Sequence, residues 1–181
     1  MRKKILWITE TAMMLALLVT VQWLTKPVGQ LLTGSCVNAV LAVTVLVAGL
    51  SSGITVALIS PVMDYLLNIA PQILTVPAIM VGNTLFVVLL HLIAGGKQAS
   101  LVKRIAGWLC AAAAKFAVMY AIVSWLICGV FAPALMAAGT LKEPMLKALP
   151  VTFGVTQLFT ALIGGAVAMA IVLPIRKALK R

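Results

Sequence analysis

The chain has 181 residues, of which 64% are apolar and only 17 are Lys, Arg, Asp or Glu, with a net charge of +11. Soluble domains contain about 25% charged residues, so the 9% found here excludes a mostly water-exposed surface. The basic residues stand in short clusters between apolar runs, which argues against nucleic-acid binding and favours contacts with a lipid bilayer.

Long apolar stretches define the predicted fold. Four windows contain no charged residue: 28–63, 65–96, 116–141 and 148–175. A spanning helix needs about 20 mostly apolar residues, so each window holds one or two spans. The sequence therefore predicts an all-α integral membrane protein, a single six-transmembrane-helix bundle over residues 1–181.

Six helices are predicted in chain order: 4–25, 36–50, 54–69, 73–93, 105–128 and 150–173. Turn and helix-breaking residues separate them at Lys26-Pro27, 29–35, 49–53, Ala70-Pro71, 95–104 and 133–144. Glu10 lies inside the first apolar stretch, and no clean cleavage pattern follows it, so we expect a retained helix instead of a signal peptide.

Orientation follows from the basic residues. Six spans place ten of them on one side: Arg2, Lys3, Lys4, Lys97, Lys103, Arg104, Arg176, Lys177, Lys180 and Arg181. The other side carries three: Lys26, Lys142 and Lys147. Because basic residues concentrate on the cytoplasmic side of membranes, both termini are predicted to be cytoplasmic.

Lys115 is the most unusual polar residue in the predicted helices. It lies about ten residues into helix five, or about 15 Å along it, which is near the middle of the bilayer. A cation at this depth indicates either a cavity that receives an acidic ligand group, or a lysine that snorkels or pairs with an acid inside the bundle. The sequence alone leaves both interpretations open.

Three amide side chains are expected in the outer half of the bundle: Asn38, Asn83 and Gln157. They are candidates for hydrogen bonds to a small polar solute in a cavity, and the alternative is bonding between helices. Trp125 falls near a predicted helix end, where stacking on a ligand competes with a place in the interfacial aromatic belt.

Motifs of enzymes are missing from the sequence. It has one histidine, no zinc-binding spacing and no GxxxxGK[ST] phosphate loop. We therefore expect neither an enzymatic activity nor a cofactor. An ATP-driven transport function would need another subunit.

Helix one contains Ala12-Met13-Met14-Leu15-Ala16, in which two small residues one turn apart let another helix approach closely. With this motif, its small size, its six predicted helices and its basic tail, the chain resembles the substrate-binding S components of energy-coupling factor (ECF) vitamin transporters over its whole length. The run from Thr33 to Asn83 adds to the resemblance.

The resemblance implies a mechanism and its partners. An S component in a prokaryotic cell membrane captures a small water-soluble vitamin or precursor from outside. It then associates with a transmembrane scaffold subunit, on which Ala12 and Ala16 would dock, and with two ATPase subunits. The implied solute site lies in the loop after helix one and the outer halves of helices four to six, which selects Asn83, Lys115, Gln157 and Trp125.

Two other functions stay open at this stage. The chain would act either as a stand-alone small transporter or channel, in an oligomer, or as a non-transporting membrane subunit. Co-isolation of a scaffold and ATPases distinguishes the S component from both, and transport by a homo-oligomer distinguishes the first alternative from the second.

Overall fold

The computed structural model describes residues 2–68, 73–96 and 99–179. All regular structure in these ranges is helical, and the α-helices are α1 (Arg2–Thr25), α2 (Gln30–Val47), α3 (Leu50–Leu66), α4 (Val76–Ala94), α5 (Leu101–Met119), α6 (Ala132–Ala137), α7 (Glu143–Phe153) and α8 (Val155–Ala178). Short 3₁₀ turns at Lys26–Val28 and Ile73–Thr75 precede α2 and α4, and α5 continues as a π-helix over Tyr120–Val130.

The predicted all-α class is confirmed for the described residues. Five helical segments there are long and apolar enough to cross a membrane: Lys4–Val28, Gln30–Val47, Ile73–Ala94, Leu101–Val130 and Glu143–Ala178. α3 is also apolar but has only 17 residues. The sixth span therefore stays a prediction.

α2 lies at the centre of the bundle and α1 at its edge. α2 packs against α1, α3, α4 and α8, and most closely against α8. Its burial is extensive, whereas the buried residues of α1 are Thr11, Leu18 and Gln22. These three share one face of α1, at spacings of seven and four residues. On the opposite face of α1, Ala12, Met13, Ala16 and Leu17 are exposed in the described part of the chain.

Two apolar cores hold the helices together. The larger one joins α1, α2, α3, α4, α5 and α8, and its largest fully buried side chains are Phe86, Leu18, Leu41 and Leu90. The smaller one lies where α7 packs against the π-helix, and includes Val123 and Phe153. In a bilayer such side chains hold helices together through van der Waals packing, because lipid tails are as apolar as the side chains themselves.

α2 begins at Gln30, six residues before its predicted start. Gly34 and Ser35 indicated a loop in the sequence, yet both are helical here. The hydroxyl of Ser35 donates to the carbonyl of Leu31 inside the helix, and a Cβ atom at Gly34 would lie 2.8 Å from Cγ2 of Thr160. Gly34 thus permits close packing of α2 against α8, and the actual turn after α2 is confined to Ala48 and Gly49.

The C-terminal third differs most from the prediction. The expected loop over 133–144 contains α6, and α7 begins at Glu143 and includes Pro150, the predicted start of helix six. The helix is interrupted at Gly154, where a Cβ atom would collide with the carbonyl oxygen of Pro150. α8 then begins at Val155. The predicted break at Ala70-Pro71 and the basic residues Lys97, Lys180 and Arg181 lie outside the described residues.

Candidate functional site

Lys115 is buried in α5, with only 2% of its surface exposed. Its Nζ atom donates hydrogen bonds to Oδ1 of Asn38 on α2 and Oδ1 of Asn83 on α4, each at 2.7 Å. The same atom lies 5.7 Å from the ring centroid of Phe86, within the range of a cation–π contact. Three helices therefore meet at one cation, and we call Lys115, Asn38 and Asn83 the lysine cluster.

The orientation of Asn38 is fixed from the opposite side. Its Nδ2 atom donates to the carbonyl of Gly34 at 2.8 Å and to the hydroxyl of Thr160 at 3.2 Å. That hydroxyl in turn donates to the carbonyl of Gln157 at 3.1 Å. Since both hydrogen bonds use the nitrogen of the Asn38 amide, its oxygen is directed to Lys115.

The lysine cluster lines a cavity of about 100 Å³, which we call the polar cavity. It lies at the end of the bundle where α1 and α3 end and where α2, α4 and α8 begin. Its lining residues are Gln22, Lys26, Gly29, Gln30, Thr33, Gly34, Val37, Asn38, Asp64, Ile79, Asn83, Lys115, Phe153 and Gln157. The volume has room for several water molecules or for a small solute.

A carboxylate lies in the wall of the same cavity. Asp64 is 7% exposed, and its Oδ2 atom accepts a hydrogen bond of 2.5 Å from Nε2 of Gln22, which is 6% exposed. The other two acceptor atoms of this pair, Oδ1 of Asp64 and Oε1 of Gln22, are buried and have no hydrogen-bond partner among the described residues. Most buried polar atoms in proteins do have a partner, so these two oxygens stand out.

Lys26 marks the exposed side of the polar cavity, and its ammonium donates to the backbone carbonyl of Asn68. This contact joins the end of α1 to the segment after α3. The lining thus carries two lysines and one aspartate, but only Lys115 and Asp64 are shielded from solvent.

The structure brings together four of the five predicted solute-binding residues: Asn38, Asn83, Lys115 and Gln157. Gln157 also donates weakly to the carbonyl of Thr152, at 3.4 Å. Trp125 lies elsewhere, on the π-helix, with 65% of its surface exposed and no place in the cavity lining. The proposed docking residues Ala12 and Ala16 are both exposed on α1.

Gln22 and Asp64 are the functional candidates that sequence reasoning missed. Neither residue belongs to the solute-binding set predicted from the sequence. The residues are 42 positions apart, so no local pattern links them. A usable indication was that Gln22 shares a helix face with Leu18 and Thr11, which directs it into the bundle.

A second cavity, of about 430 Å³, lies at the opposite end of the bundle. It includes Glu10, His91 and Arg176 in its lining. The guanidinium of Arg176 donates to the carbonyls of Leu46 and Gly95, which lie at the C-terminal ends of α2 and α4. A cation at this position satisfies carbonyls that have no partner within their own helices, so Arg176 acts as a structural cap.

Comparison with known proteins adds no assignment. No family model, no curated protein and no solved structure matches the chain.

The polar cavity carries groups that can bind a polar molecule. In the described part of the chain, no three His, Cys, Asp or Glu side chains are placed to hold a metal ion. The lining offers one buried cation, one buried carboxylate, five amide side chains and the hydroxyl of Thr33. Such groups recognise a small polar molecule by charge and hydrogen bonding.

Proposed function

We propose that this chain is a membrane-embedded solute-binding subunit, which captures a small polar solute with an acidic group in the polar cavity. The buried Lys115 carries the proposal. In the described part of the chain it bonds to neutral amide oxygens and to no carboxylate. An ammonium has three donors, so one is left for a ligand.

The charge of Lys115 argues against a purely structural role. A buried charge is expensive unless it is paired, and two neutral amides compensate it only in part. Helix packing alone would be served better by an apolar side chain of similar volume. An anionic solute beside Lys115 would supply the missing compensation, and would gain affinity from the same low-dielectric surroundings.

Six spans, with both termini in the cytoplasm, are the proposed topology. α3 is about 26 Å long at 1.5 Å per residue, close to the roughly 30 Å of a hydrocarbon core. The two-residue turn between α2 and α3 favours antiparallel neighbours, which would put the end of α3 on the side where α4 begins. With the ten-to-three division of basic residues, this topology opens the polar cavity to the outside.

The finer proposal is an S component of an ECF transporter in a prokaryotic cell membrane, importing a vitamin or precursor with a scaffold subunit and two ATPases. It rests on the resemblance described in the sequence. The exposure of Ala12 and Ala16 supports it, because a strip of small residues outside the bundle can accept a helix of another subunit.

Solute retention tests the proposed function. Wild-type protein, Lys115→Met and Lys147→Met are purified in lipid nanodiscs, and the small molecules extracted from each are identified by mass spectrometry. Lys147 is a suitable control because it is exposed on α7, where it pairs with Glu143. We expect one acidic solute in the wild-type and Lys147→Met samples and its loss from Lys115→Met. An equal amount in all three samples, or none in any, would refute binding through Lys115.

A further inference from the structure

The polar cavity contains two buried charges of opposite sign that do not neutralise each other. Lys115 bonds to the amides of Asn38 and Asn83, whereas Asp64 bonds to the amide of Gln22. A direct ion pair would have been the simplest way to compensate both charges. Each charge instead keeps bonding capacity for a further group.

Lys115 can still donate a hydrogen bond, whereas Asp64 and Gln22 can still accept hydrogen bonds. Lys115 has a third N–H donor, and donors bind anionic oxygens. At the other charge, Oδ1 of Asp64 and Oε1 of Gln22 are acceptors for which the described residues supply no donor. Two orphaned acceptors on one hydrogen-bonded pair of side chains, one of them anionic, suit an ammonium group, which brings three donors and a positive charge.

We infer that the polar cavity binds a small zwitterion, an amino acid or a related amino-carboxylate. Its carboxylate lies against Nζ of Lys115, and its ammonium lies against Oδ1 of Asp64 and Oε1 of Gln22. This inference rests on the proposed solute-binding function and specifies its substrate class.

Size and charge agree with this class. A cavity of about 100 Å³ suits a molecule of amino-acid size. A simple anion would satisfy Lys115 but would leave the oxygens of Asp64 and Gln22 orphaned, and would lie in the same cavity as a carboxylate of like charge. A simple amine would satisfy Asp64 and Gln22 but would leave the third N–H donor of Lys115 unpaired, and it would lie in the same cavity as an ammonium of like charge. Only a ligand that carries both charges satisfies both ends.

Binding of matched analogues tests the inference on the wild-type protein. The twenty standard amino acids are screened singly by thermal shift in nanodiscs, and the affinity of the best one is measured by calorimetry. Two analogues follow: the same molecule without its amino group and the same molecule without its carboxylate. We expect each analogue to bind about tenfold or more weakly, because each leaves one buried charge unpaired.

One variant and its control test whether the amino group of the ligand lies against Asp64. Asp64→Asn should lose about tenfold or more in affinity for the amino acid while keeping the affinity for the analogue without an amino group. Glu143→Gln is the matched control, since it makes the same change at an exposed carboxylate on α7, and it should bind like the wild type.

The outcomes separate the inference from the proposed function. If the retained solute has no amine, depends on Lys115 and is bound equally by Asp64→Asn, the solute-binding function stands and the zwitterion is excluded. If no amino acid binds and no solute is retained, both are refuted. Tight binding of one amino acid that weakens with either analogue supports both.

Discussion

The Nζ atom of Lys115 lies 2.7 Å from the amide oxygen of Asn83, in the buried interface between α5 and α4. Neither side chain would be expected in an apolar interface on its own. Together they replace part of the hydration that the ammonium loses on burial. Their pairing makes the two residues energetically dependent on each other.

This dependence predicts a measurable coupling in stability. Asn83→Leu removes an acceptor and leaves the buried ammonium with one amide, which should lower the free energy of unfolding by about 1–3 kcal/mol. In a Lys115→Met background the same change should cost much less, because no charge is left to satisfy. Denaturant unfolding of the wild type, both single variants and the double variant measures the coupling. Additive effects would contradict the contact.

Close packing of α2 against α8 gives a second prediction. A Cβ atom at Gly164 would lie 2.8 Å from the backbone nitrogen of Ala39 and would also meet the carbonyl of Ser35. Gly164→Ala should therefore cost about 1–3 kcal/mol of stability, since backbone atoms cannot move aside. Gly129→Ala is the control, because its nearest neighbour is 3.7 Å away. Equal thermal unfolding temperatures for the two variants would contradict the close approach.

The proposed topology is tested by labelling single cysteines with a membrane-impermeant maleimide. Cys36, Cys110 and Cys128 are first replaced by serine. We expect Thr140→Cys, between α6 and α7, to be labelled in intact cells. Gln98→Cys, outside the described residues, and Ser100→Cys, just before α5, should be labelled only after the membrane is opened. Labelling of all three in intact cells would refute six spans.

The exposed strip on α1 predicts an effect on assembly alone. Ala16→Trp places a large side chain at a position that is exposed in the described part of the chain, so the unfolding temperature and the solute affinity should be unchanged. Association with a scaffold subunit should be lost, because close helix packing needs small residues. Ala42→Trp is the control: Ala42 is fully buried in α2, and overpacking there should cost about 1–3 kcal/mol. If Ala16→Trp still co-purifies with the scaffold, docking through this strip is refuted.

Hydropathy and proline positions were enough to predict most of the helices. α1 ends at Thr25 as expected, and Pro77 lies in the first turn of α4. One error concerns a glycine, because a glycine in a sequence can mark either a loop or a close contact between helices. Gly34 indicated a loop, but its missing side chain serves helix packing against Thr160, and only knowledge of the neighbouring helix reveals this.

The sequence predicted most residues of the candidate site, but it did not predict which of them contact each other. Lys115, Asn38 and Asn83 stood out because polar groups are rare in apolar helices. Their mutual hydrogen bonds depend on how three helices are arranged, which hydropathy does not encode. The Gln22–Asp64 pair was missed for the same reason, because its partners belong to helices α1 and α3. Trp125 was assigned by analogy and lies outside the cavity lining.

The affinity of Lys115→Met for the solute recovered from the wild-type protein tests most directly whether Lys115 binds that solute. Titration calorimetry in nanodiscs compares it with the wild type and with Lys147→Met, an exposed lysine outside the cavity. The buried ammonium should pair with the acidic group of the solute, so Lys115→Met should lose about 2–5 kcal/mol of binding free energy. Lys147→Met should bind like the wild type. If Lys115→Met folds and keeps wild-type affinity, Lys115 does not bind the solute and the proposed function is wrong.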